Sequence, residues 1–310
     1  MRVTFPSLLF ALVAVLSVVA ASPCVHGDEL PTRFDAVPRI VAIGDVHGDL
    51  GATRRALQLA GATNEKDEWV GGELVVVQTG DQLDRGDEEQ AILDLFSRLA
   101  VEAESAGGAF HVLNGNHELM NARLDLRYVT EGGYEDFRDA VEVPEDDSTL
   151  AGYDENHRAR VVAFRPGGRY AKVLAGRNTI IVIGDNVFVH GGVLTEHVEY
   201  GVERINREAR QWLRGDAPIP EWLERKDSPV WARQFSDEVG EDDCAELAAV
   251  LEKLGAKRMI VGHTPQTKNI TPYCAEQVWC IDTGMASHYG GEVCVLEIEG
   301  DEVRALAAGE

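Results

Sequence analysis

Short runs of aliphatic and β-branched residues recur along the chain from Arg39 onward, and stretches with helical periodicity separate them. Each run is bounded by Gly, Asp or Asn, and an apolar run between such residues predicts a buried strand. The predicted strands span residues 40–43, 74–78, 110–113, 179–183, 187–189, 259–261 and 278–281. Strands that alternate with helices in this way are typical of the α/β class.

Four helices are predicted between these strands, at residues 50–60, 88–105, 196–213 and 243–254. The second has the strongest pattern, and we expect Asp87 to cap it while Gln90 supplies the reciprocal cap. Its apolar face is predicted from residues at helical spacing, namely Ala91, Ile92, Leu95, Phe96 and Leu99.

Two stretches interrupt the pattern. Residues 119–170 contain many charges, several glycines and few strand signals, and residues 214–242 contain three prolines and the aromatic residues Trp222, Trp231 and Phe235. We expect both to be lid-like insertions that cover a site, because no shift in composition marks a domain boundary. Residues 28–310 are therefore predicted to form a single domain.

The N-terminus has the pattern of a targeting segment. Residues 8–21 contain one polar residue, Ser17, and follow the basic Arg2. A helix of this length falls short of the ~30 Å hydrocarbon core of a membrane, which favours a signal peptide. We expect residues 1–27 to be that peptide, cleaved before Ser22 or Asp28, with an uncleaved anchor as the alternative. The mature protein would then be secreted or enter a periplasm or organelle lumen, without stable membrane association.

Cysteine content allows few disulfides. Cleavage before Asp28 leaves Cys244, Cys274, Cys280 and Cys294, and an exported protein can form disulfides among them. Cys274 and Cys280 are the closest pair in sequence and could close one loop. The alternative is that all four are buried thiols.

Acidic residues outnumber basic ones by 53 to 29, which gives a formal net charge of −24. Nucleic acids and anionic membranes require a basic surface, so the charge argues against both as partners. It leaves open a small anionic substrate at a site where the local field is reversed.

Polar side chains that can bind a metal follow five of the predicted strands directly. Because ligands gather at the carboxyl ends of strands in α/β folds, we expect these side chains to meet. The candidate ligands are Asp45, His47, Asp81, Asn116, His190 and His263. Oxygen and nitrogen donors without thiolates fit Mn²⁺, Fe or Zn²⁺. Six ligands are too many for one catalytic ion, and they fit two divalent ions ~3.5–4 Å apart with Asp81 as the bridge.

The motifs that carry these residues resemble those of a known family. GDVHG at 44–48, GDQLDRG at 80–86, GNHE at 115–118, HGG at 190–192 and VGHT at 261–264 are similar in content and order to those of calcineurin-like metallophosphoesterases, in the phosphoprotein phosphatase branch. The segment WAR at 231–233 and the run IDTGMASHYGG at 281–291 resemble the Shewanella-like protein phosphatases. This resemblance implies a four-layer αββα sandwich with two metals at the edge of its central sheets.

The resemblance also implies a role for each residue. Asp45 and His47 would hold one metal, Asp81 would bridge, and Asn116, His190 and His263 would hold the other. His117 and Asp84 would form the acid pair and Arg85 would bind phosphate. Arg233 would be a second phosphate clamp, or a surface residue paired with Asp237 or Glu238.

The activity that follows is metal-dependent phosphatase action on a phosphorylated protein or peptide. A hydroxide that bridges two metals, expected to be two Mn²⁺ ions, would attack phosphorus directly, without a phosphoenzyme. Phosphotyrosine is favoured over phosphoserine or phosphothreonine, with Trp222, Trp231 and Phe235 either as a wall for the ring or as core packing. The alternatives are a diadenosine-polyphosphate hydrolase, a broad phosphomonoesterase, or an inactive binding protein. Intact His117, Asp84 and Arg85 argue against the last.

Overall fold

A computed structural model describes residues 30–267 and 269–307, so the predicted signal peptide lies outside the described residues. Its strands are β1 (Arg33–Phe34), β2 (Arg39–Ile43), β3 (Val75–Gln78), β4 (Ala109–Val112), β5 (Ile180–Ile183), β6 (Asn186–Val189), β7 (Arg258–Val261), β8 (Thr271–Tyr273), β9 (Val278–Cys280), β10 (Cys294–Glu299) and β11 (Glu302–Ala307). Its α-helices are α1 (Leu50–Leu59), α2 (Glu89–Ser105), α3 (Asn116–Ala122), α4 (Glu131–Asp136), α5 (Arg158–Phe164), α6 (Arg169–Leu174), α7 (Thr195–Tyr200), α8 (Val202–Arg214) and α9 (Glu241–Leu254). Short 3₁₀ turns occupy Ser148–Leu150, Glu155–His157 and Glu221–Glu224.

Two mixed sheets form the centre of the fold. The first has the order β1-β5-β6-β7-β9-β8 and the second the order β11-β10-β2-β3-β4. Strands β2, β3 and β4 are parallel to one another, as are β6, β7 and β9. The loops that follow these parallel strands therefore leave each sheet in a common direction.

Side chains on each strand alternate between the two faces of its sheet, and the two sheets lie between two layers of helices. In β2, Val41 and Ile43 belong to the core that contains residues of α1 and α2, whereas Ile40 and Ala42 belong to the core shared with the other sheet. The outer face of the six-stranded sheet packs on residues of α5 to α9. This helix–sheet–sheet–helix order confirms the predicted αββα sandwich, because both faces of each sheet are covered.

All seven predicted strands are present, each within one residue of its expected bounds. The predicted helix at 196–213 is two helices, because Gly201 between α7 and α8 adopts a φ of +101°. The predicted caps of α2 are wrong: the Asp87 carboxylate accepts a hydrogen bond from the Thr130 hydroxyl, and Glu88 precedes the helix without a side-chain cap.

The two insertions differ in regularity. Residues 119–170 contain α4, α5, most of α3 and the first two residues of α6, and they pack on the core through Phe137, Phe164 and Tyr170. Residues 214–242 are mainly irregular. Trp222 and Phe235 are buried in the same core, so the packing interpretation holds for these two and the wall interpretation is wrong.

A disulfide joins Cys244 on α9 to Cys274, directly after β8. The expected pairing of Cys274 with Cys280 is therefore wrong, and so is the alternative that all four cysteines are buried thiols. Cys280 pairs with Thr271 across the β8–β9 hairpin, whereas Cys274 lies in the turn at the hairpin's other end. The two sequence neighbours are therefore held apart, and Cys280 and Cys294 are buried outside the disulfide. None of the helices in the described ranges is long and apolar enough to cross a membrane.

Candidate metal centre

The loops after β2, β3, β6 and β7 and the first turn of α3 bring the six predicted ligands to one edge of the two sheets. All six side chains are buried, with relative exposures of 6 % or less. Glycines permit this crowding. A Cβ atom on Gly115 would lie 2.2 Å from Oδ1 of Asp81, and one on Gly262 would lie 2.3 Å from Oδ1 of Asp45.

Backbone strain is concentrated at the same edge. Eleven non-glycine residues of the described chain have a positive φ, a conformation that is sterically costly and is held by its surroundings. Five of them are residues assigned to the site from the sequence, namely His47, Asp81, Asp84, Arg85 and His263. Strain stored at these positions is typical of a functional site.

Asp81 lies at the centre of the cluster. Its Oδ2 atom is 3.2 Å from Nε2 of His190, 3.7 Å from Nε2 of His117 and 3.8 Å from Nε2 of His47. Two groups of possible metal ligands share this carboxylate: His47, Asp81 and His117 form one, and Asp81, His190 and His263 form the other. Asp81 therefore occupies the position expected of a bridging ligand.

Hydrogen bonds from the outer nitrogens orient two of the imidazoles. Nδ1 of His47 lies 3.0 Å from the carbonyl of Leu83, and Nδ1 of His190 lies 3.1 Å from the carbonyl of Thr79. Because a carbonyl can only accept, each Nδ1 is the donor, and each ring is turned so that its Nε2 faces Asp81. Metal-binding histidines are oriented in this way.

The electrostatics of the cluster also fit cations. Burial raises the pKa of Asp45 well above its usual range, and the neighbouring Asp282 and Asp81 raise it further. Nε2 of His190 faces not only Asp81 but also Oδ1 of Asn116, at 2.9 Å. Within the described chain, the buried Nε2 of His263 has no hydrogen-bond partner. Two divalent ions would neutralise the carboxylates and satisfy these nitrogens, so the residues fit a metal pair.

His117 and Asp84 form a buried pair beside this cluster. Nδ1 of His117 lies 2.5 Å from Oδ2 of Asp84, and its Nε2 faces Asp81. Burial opposes protonation of the ring, but the carboxylates of Asp81 and Asp84 prevail and raise the pKa of His117 to about 9. The ring is therefore held ready to donate a proton toward the metal cluster.

The two candidate phosphate-binding arginines lie on different elements. The guanidinium of Arg85 lies 4.1 Å from the ring centroid of Tyr128, and its backbone N–H donates to the Tyr128 carbonyl. Arg233 donates from one guanidinium nitrogen to the carbonyl of His263 at 3.1 Å and to Oγ1 of Thr264 at 2.9 Å. Arg233 thus contacts the loop that carries the predicted ligand His263. The described chain shows no ion pair between Arg233 and Asp237 or Glu238.

Aromatic rings border the cluster. Trp231 lies 5.5 Å from the ring of His263, Tyr128 lies 5.2 Å from that of His117, and Tyr289 lies 5.4 Å from that of His47. Of the three aromatics proposed as a wall, Trp231 alone has this position. Tyr128 and Tyr289 were not predicted, although Tyr289 belongs to the run at 281–291 singled out above.

Glu118 is a further residue that the sequence analysis did not assign. Its carboxylate accepts hydrogen bonds from the backbone N–H groups of Asp81, Gln82, Leu83 and Gly115, at 2.7–3.2 Å. It thereby locks the loop of Asp81 onto the start of α3. Its place three residues after Gly115 is the spacing of a capping box, which is the signal that identifies it.

Comparison with known proteins agrees with this architecture. The family model of the calcineurin-like phosphoesterases matches residues 38–267. Shewanella-like protein phosphatase 2 of Arabidopsis thaliana is 42% identical over 311 residues, covering 90% of this chain and 80% of the relative. Shewanella-like protein phosphatase 1 of Plasmodium berghei is 29% identical, covering 86% of this chain and 74% of the relative.

Solved structures give the same result. The cold-active protein-tyrosine phosphatase of a psychrophilic Shewanella species superposes with a TM-score of 0.72 at 25% sequence identity. The match covers 90% of this chain and 83% of that one.

Proposed function

The chain belongs to the calcineurin-like phosphoesterase family, and from this membership we propose that it is a metal-dependent protein phosphatase that prefers phosphotyrosine. One observation carries the proposal: the Asp81 carboxylate is shared by two groups of possible metal ligands, one of which includes His117. Asp84 holds that histidine, and Arg85 stacks on Tyr128, whose ring borders His117. A phosphate ester bound there meets a metal cluster, an acid and a guanidinium together.

Each residue then has a distinct task. Asp45, His47, Asp81, Asn116, His190 and His263 hold the ions. When bound, two divalent ions supply an activated water and neutralise charge on the phosphate oxygens. Arg85 binds those oxygens, and its stacking on Tyr128 limits the orientations of the guanidinium. His117 donates its Nε2 proton to the leaving oxygen, while Asp84 holds Nδ1.

We propose Mn²⁺ as the native metal, with Fe or Zn²⁺ as alternatives. The proposed ligands are carboxylate, amide and imidazole groups without a thiolate, which is a borderline donor set. Buried carboxylates at the bridge favour a divalent ion over a monovalent one because they bring an excess of negative charge.

Phosphotyrosine is the proposed substrate for two reasons. Two of the similar proteins are named as protein phosphatases and the Shewanella structure as a protein-tyrosine phosphatase. In addition, Trp231, Tyr128 and Tyr289 offer ring faces and edges at the rim of the metal cluster, where a substrate phenol ring would lie.

We further propose that the protein acts after export, in an oxidising compartment. The disulfide between Cys244 and Cys274 supports this, since disulfides persist in secreted and luminal proteins and are rare in the cytosol. The apolar stretch at residues 8–21 supports it independently.

A substrate panel tests the function. Purified residues 28–310, loaded with Mn²⁺, would be offered one peptide sequence bearing phosphotyrosine, phosphoserine or phosphothreonine, and diadenosine tetraphosphate. We expect the highest kcat/KM on phosphotyrosine, abolition by EDTA and recovery with Mn²⁺. Preferential cleavage of the dinucleotide would instead identify a diadenosine-polyphosphate hydrolase, and activity that survives EDTA would contradict the metal-dependent mechanism.

A further inference from the structure

Arg160 lies in α5, inside the 119–170 insertion, yet its side chain is completely buried behind the His117–Asp84 pair. A buried guanidinium is costly unless every donor is satisfied. Arg160 donates to the carboxylate of Glu89, to Oδ1 of Asn121 at 2.9 Å and to the carbonyl of Gly133 at 2.9 Å. The metal chemistry described above does not use this arrangement.

The network reaches the catalytic pair through Asp84. Oδ2 of Asp84 contacts Nδ1 of His117 at 2.5 Å, while Oδ1 accepts from Nδ2 of Asn121 at 2.9 Å and lies 3.5 Å from a guanidinium nitrogen of Arg160. The backbone N–H of Asp84 donates to Glu89. Hydrogen bonds therefore hold both carboxylate oxygens and the backbone N–H of Asp84. The backbone of Asp84 is itself strained, with a φ of +67°.

We infer that Arg160 is a positioning residue for the acid step. It holds Asn121 and Glu89 around Asp84, so that the Asp84 carboxylate cannot rotate and the His117 ring keeps its Nε2 directed at the leaving oxygen. A small loss of orientation at a catalytic group is costly in rate. The inference rests on the proposed function, because it assumes that His117 protonates a leaving group.

The geometry requires arginine specifically. Its planar guanidinium donates from three nitrogens: Nε donates to Asn121, and both terminal nitrogens donate to Glu89. The rings of Phe137 and Phe164 lie 4.9 Å and 5.1 Å from the guanidinium carbon and restrict it further. A lysine would keep the charge but offer one nitrogen, so it could not make the hydrogen bonds to Asn121 and Glu89 together.

The test combines Arg160→Lys with His117→Asn, singly and together. For each variant, kcat and KM would be measured on phosphotyrosine peptide and on aryl phosphates whose leaving groups span a range of pKa values, with metal content determined in parallel. Arg258→Lys is the matched control. Arg258 is also a buried arginine near an aspartate, Asp301, but it begins β7, at the end opposite His263.

We expect Arg160→Lys to lower kcat ~10–100-fold on the peptide, part of the ~10²–10⁴-fold scale of a general acid, with KM changed less than about twofold. The loss should shrink on p-nitrophenyl phosphate, whose leaving group needs little protonation. In the His117→Asn background, Arg160→Lys should have no further effect, because residues that act through one group are not additive. Metal content should be unchanged, and Arg258→Lys should match the wild type.

Multiplied losses in the double variant, or equal losses across leaving groups, would overturn the inference while leaving the phosphatase activity intact. A wild-type protein that cleaves no phosphate ester with Mn²⁺ would overturn the proposed function and this inference with it. If Arg160→Lys fails to fold, as judged by its circular dichroism, Asn121→Ala serves instead. It must then show the same dependence on the leaving group and the same lack of additivity with His117→Asn, and failure on either count overturns the inference.

Discussion

Nδ1 of His117 lies 2.5 Å from Oδ2 of Asp84, and both side chains are buried. The contact fixes the ring so that its second nitrogen faces the Asp81 carboxylate, 3.7 Å away. Asp84 thus orients the imidazole of His117 through Nδ1, and Nε2 of the same ring faces the centre where the ions would bind. That arrangement separates holding metal from donating a proton, and the two roles can be tested separately.

The acid role predicts a selective defect in His117→Asn. We expect near-normal metal content, because the six proposed ligands remain, and a kcat lower by ~10²–10⁴-fold on phosphotyrosine peptide. The defect should be smaller on p-nitrophenyl phosphate, because nitrophenolate leaves without a proton. Steady-state kinetics on both substrates, with elemental analysis, measure this. An equal loss on the two substrates would show that His117 has another role.

The bridging role predicts that Asp81→Asn loses both ions. The Asp81 carboxylate is common to the two ligand groups, and an amide oxygen lacks the charge that holds two dications together. Elemental analysis should find fewer than one ion per chain, and phosphatase activity should be lost. The exposed Asp94→Asn on α2 is the control and should retain both. Full metal content in Asp81→Asn would contradict the shared bridge.

Local patterns were sufficient to predict the inner strands and the candidate ligands. An apolar run that is followed within a few residues by Gly-Asp or Gly-Asn predicts both a buried strand and a polar side chain at its carboxyl end, as after Ile43 and Val77. The sequence order of those strands does not matter for this, because every such end points the same way within its parallel set.

Local patterns could not predict contacts between residues that are distant in sequence. Arg160 meets Glu89 across 71 positions and Cys244 meets Cys274 across 30 positions, and neither pairing has a local signal. Gly201 shows a third kind of failure, since one residue with positive φ divides a helix whose apolar periodicity continues on both sides. Tertiary placement decides each of these, so pattern alone does not identify them.

Acid should destabilise the protein through His111 on β4. Burial lowers the pKa of His111 to about 4, compared with ~6.5 in an unfolded chain. Between these values the unfolded state binds more protons than the folded state. The stability contributed by neutral His111 is therefore complete above pH ~6.5 and is lost as the pH falls toward 4, at up to ~1.4 kcal/mol per pH unit.

Denaturant unfolding between pH 7 and pH 4 measures this effect. His111→Phe preserves a ring beside Phe34, whose centroid lies 4.4 Å from that of His111, and removes the titration. The variant should lose stability less steeply than the wild type over this range. Parallel curves for the two proteins would contradict the prediction.

Export should leave a mature chain that begins between residues 22 and 28. N-terminal sequencing or intact mass of protein recovered from a secreting host measures the cleavage site directly. Retention of Met1 in exported material would support an anchor in place of a cleaved signal peptide. A variant with Leu12→Arg, which places a charge inside the apolar stretch, should remain unprocessed and inside the cell.

Substrate choice should depend on Trp231 and not on Trp222. A phosphotyrosine phosphate stands ~6 Å farther from its own backbone than a phosphoserine phosphate does, so a site that prefers it needs apolar contact along the ring. Trp231 is partly exposed beside His263, whereas Trp222 is 4 % exposed and packed in the core. The two residues come from the same insertion and differ mainly in this placement, so each is the control for the other.

Trp231→Ala should raise KM for phosphotyrosine peptide several-fold, leave kcat on p-nitrophenyl phosphate nearly unchanged and shift the thermal midpoint little. Trp222→Ala should do the reverse: lower the free energy of unfolding by ~3–5 kcal/mol through a core cavity, with KM close to the wild-type value. Kinetics on both substrates and calorimetry on both variants measure these effects. If Trp231→Ala lowers the thermal midpoint as much as Trp222→Ala and affects both substrates alike, Trp231 is a packing residue. The tyrosine preference must then come from Tyr128 and Tyr289, which lie beside His117 and His47, or be abandoned.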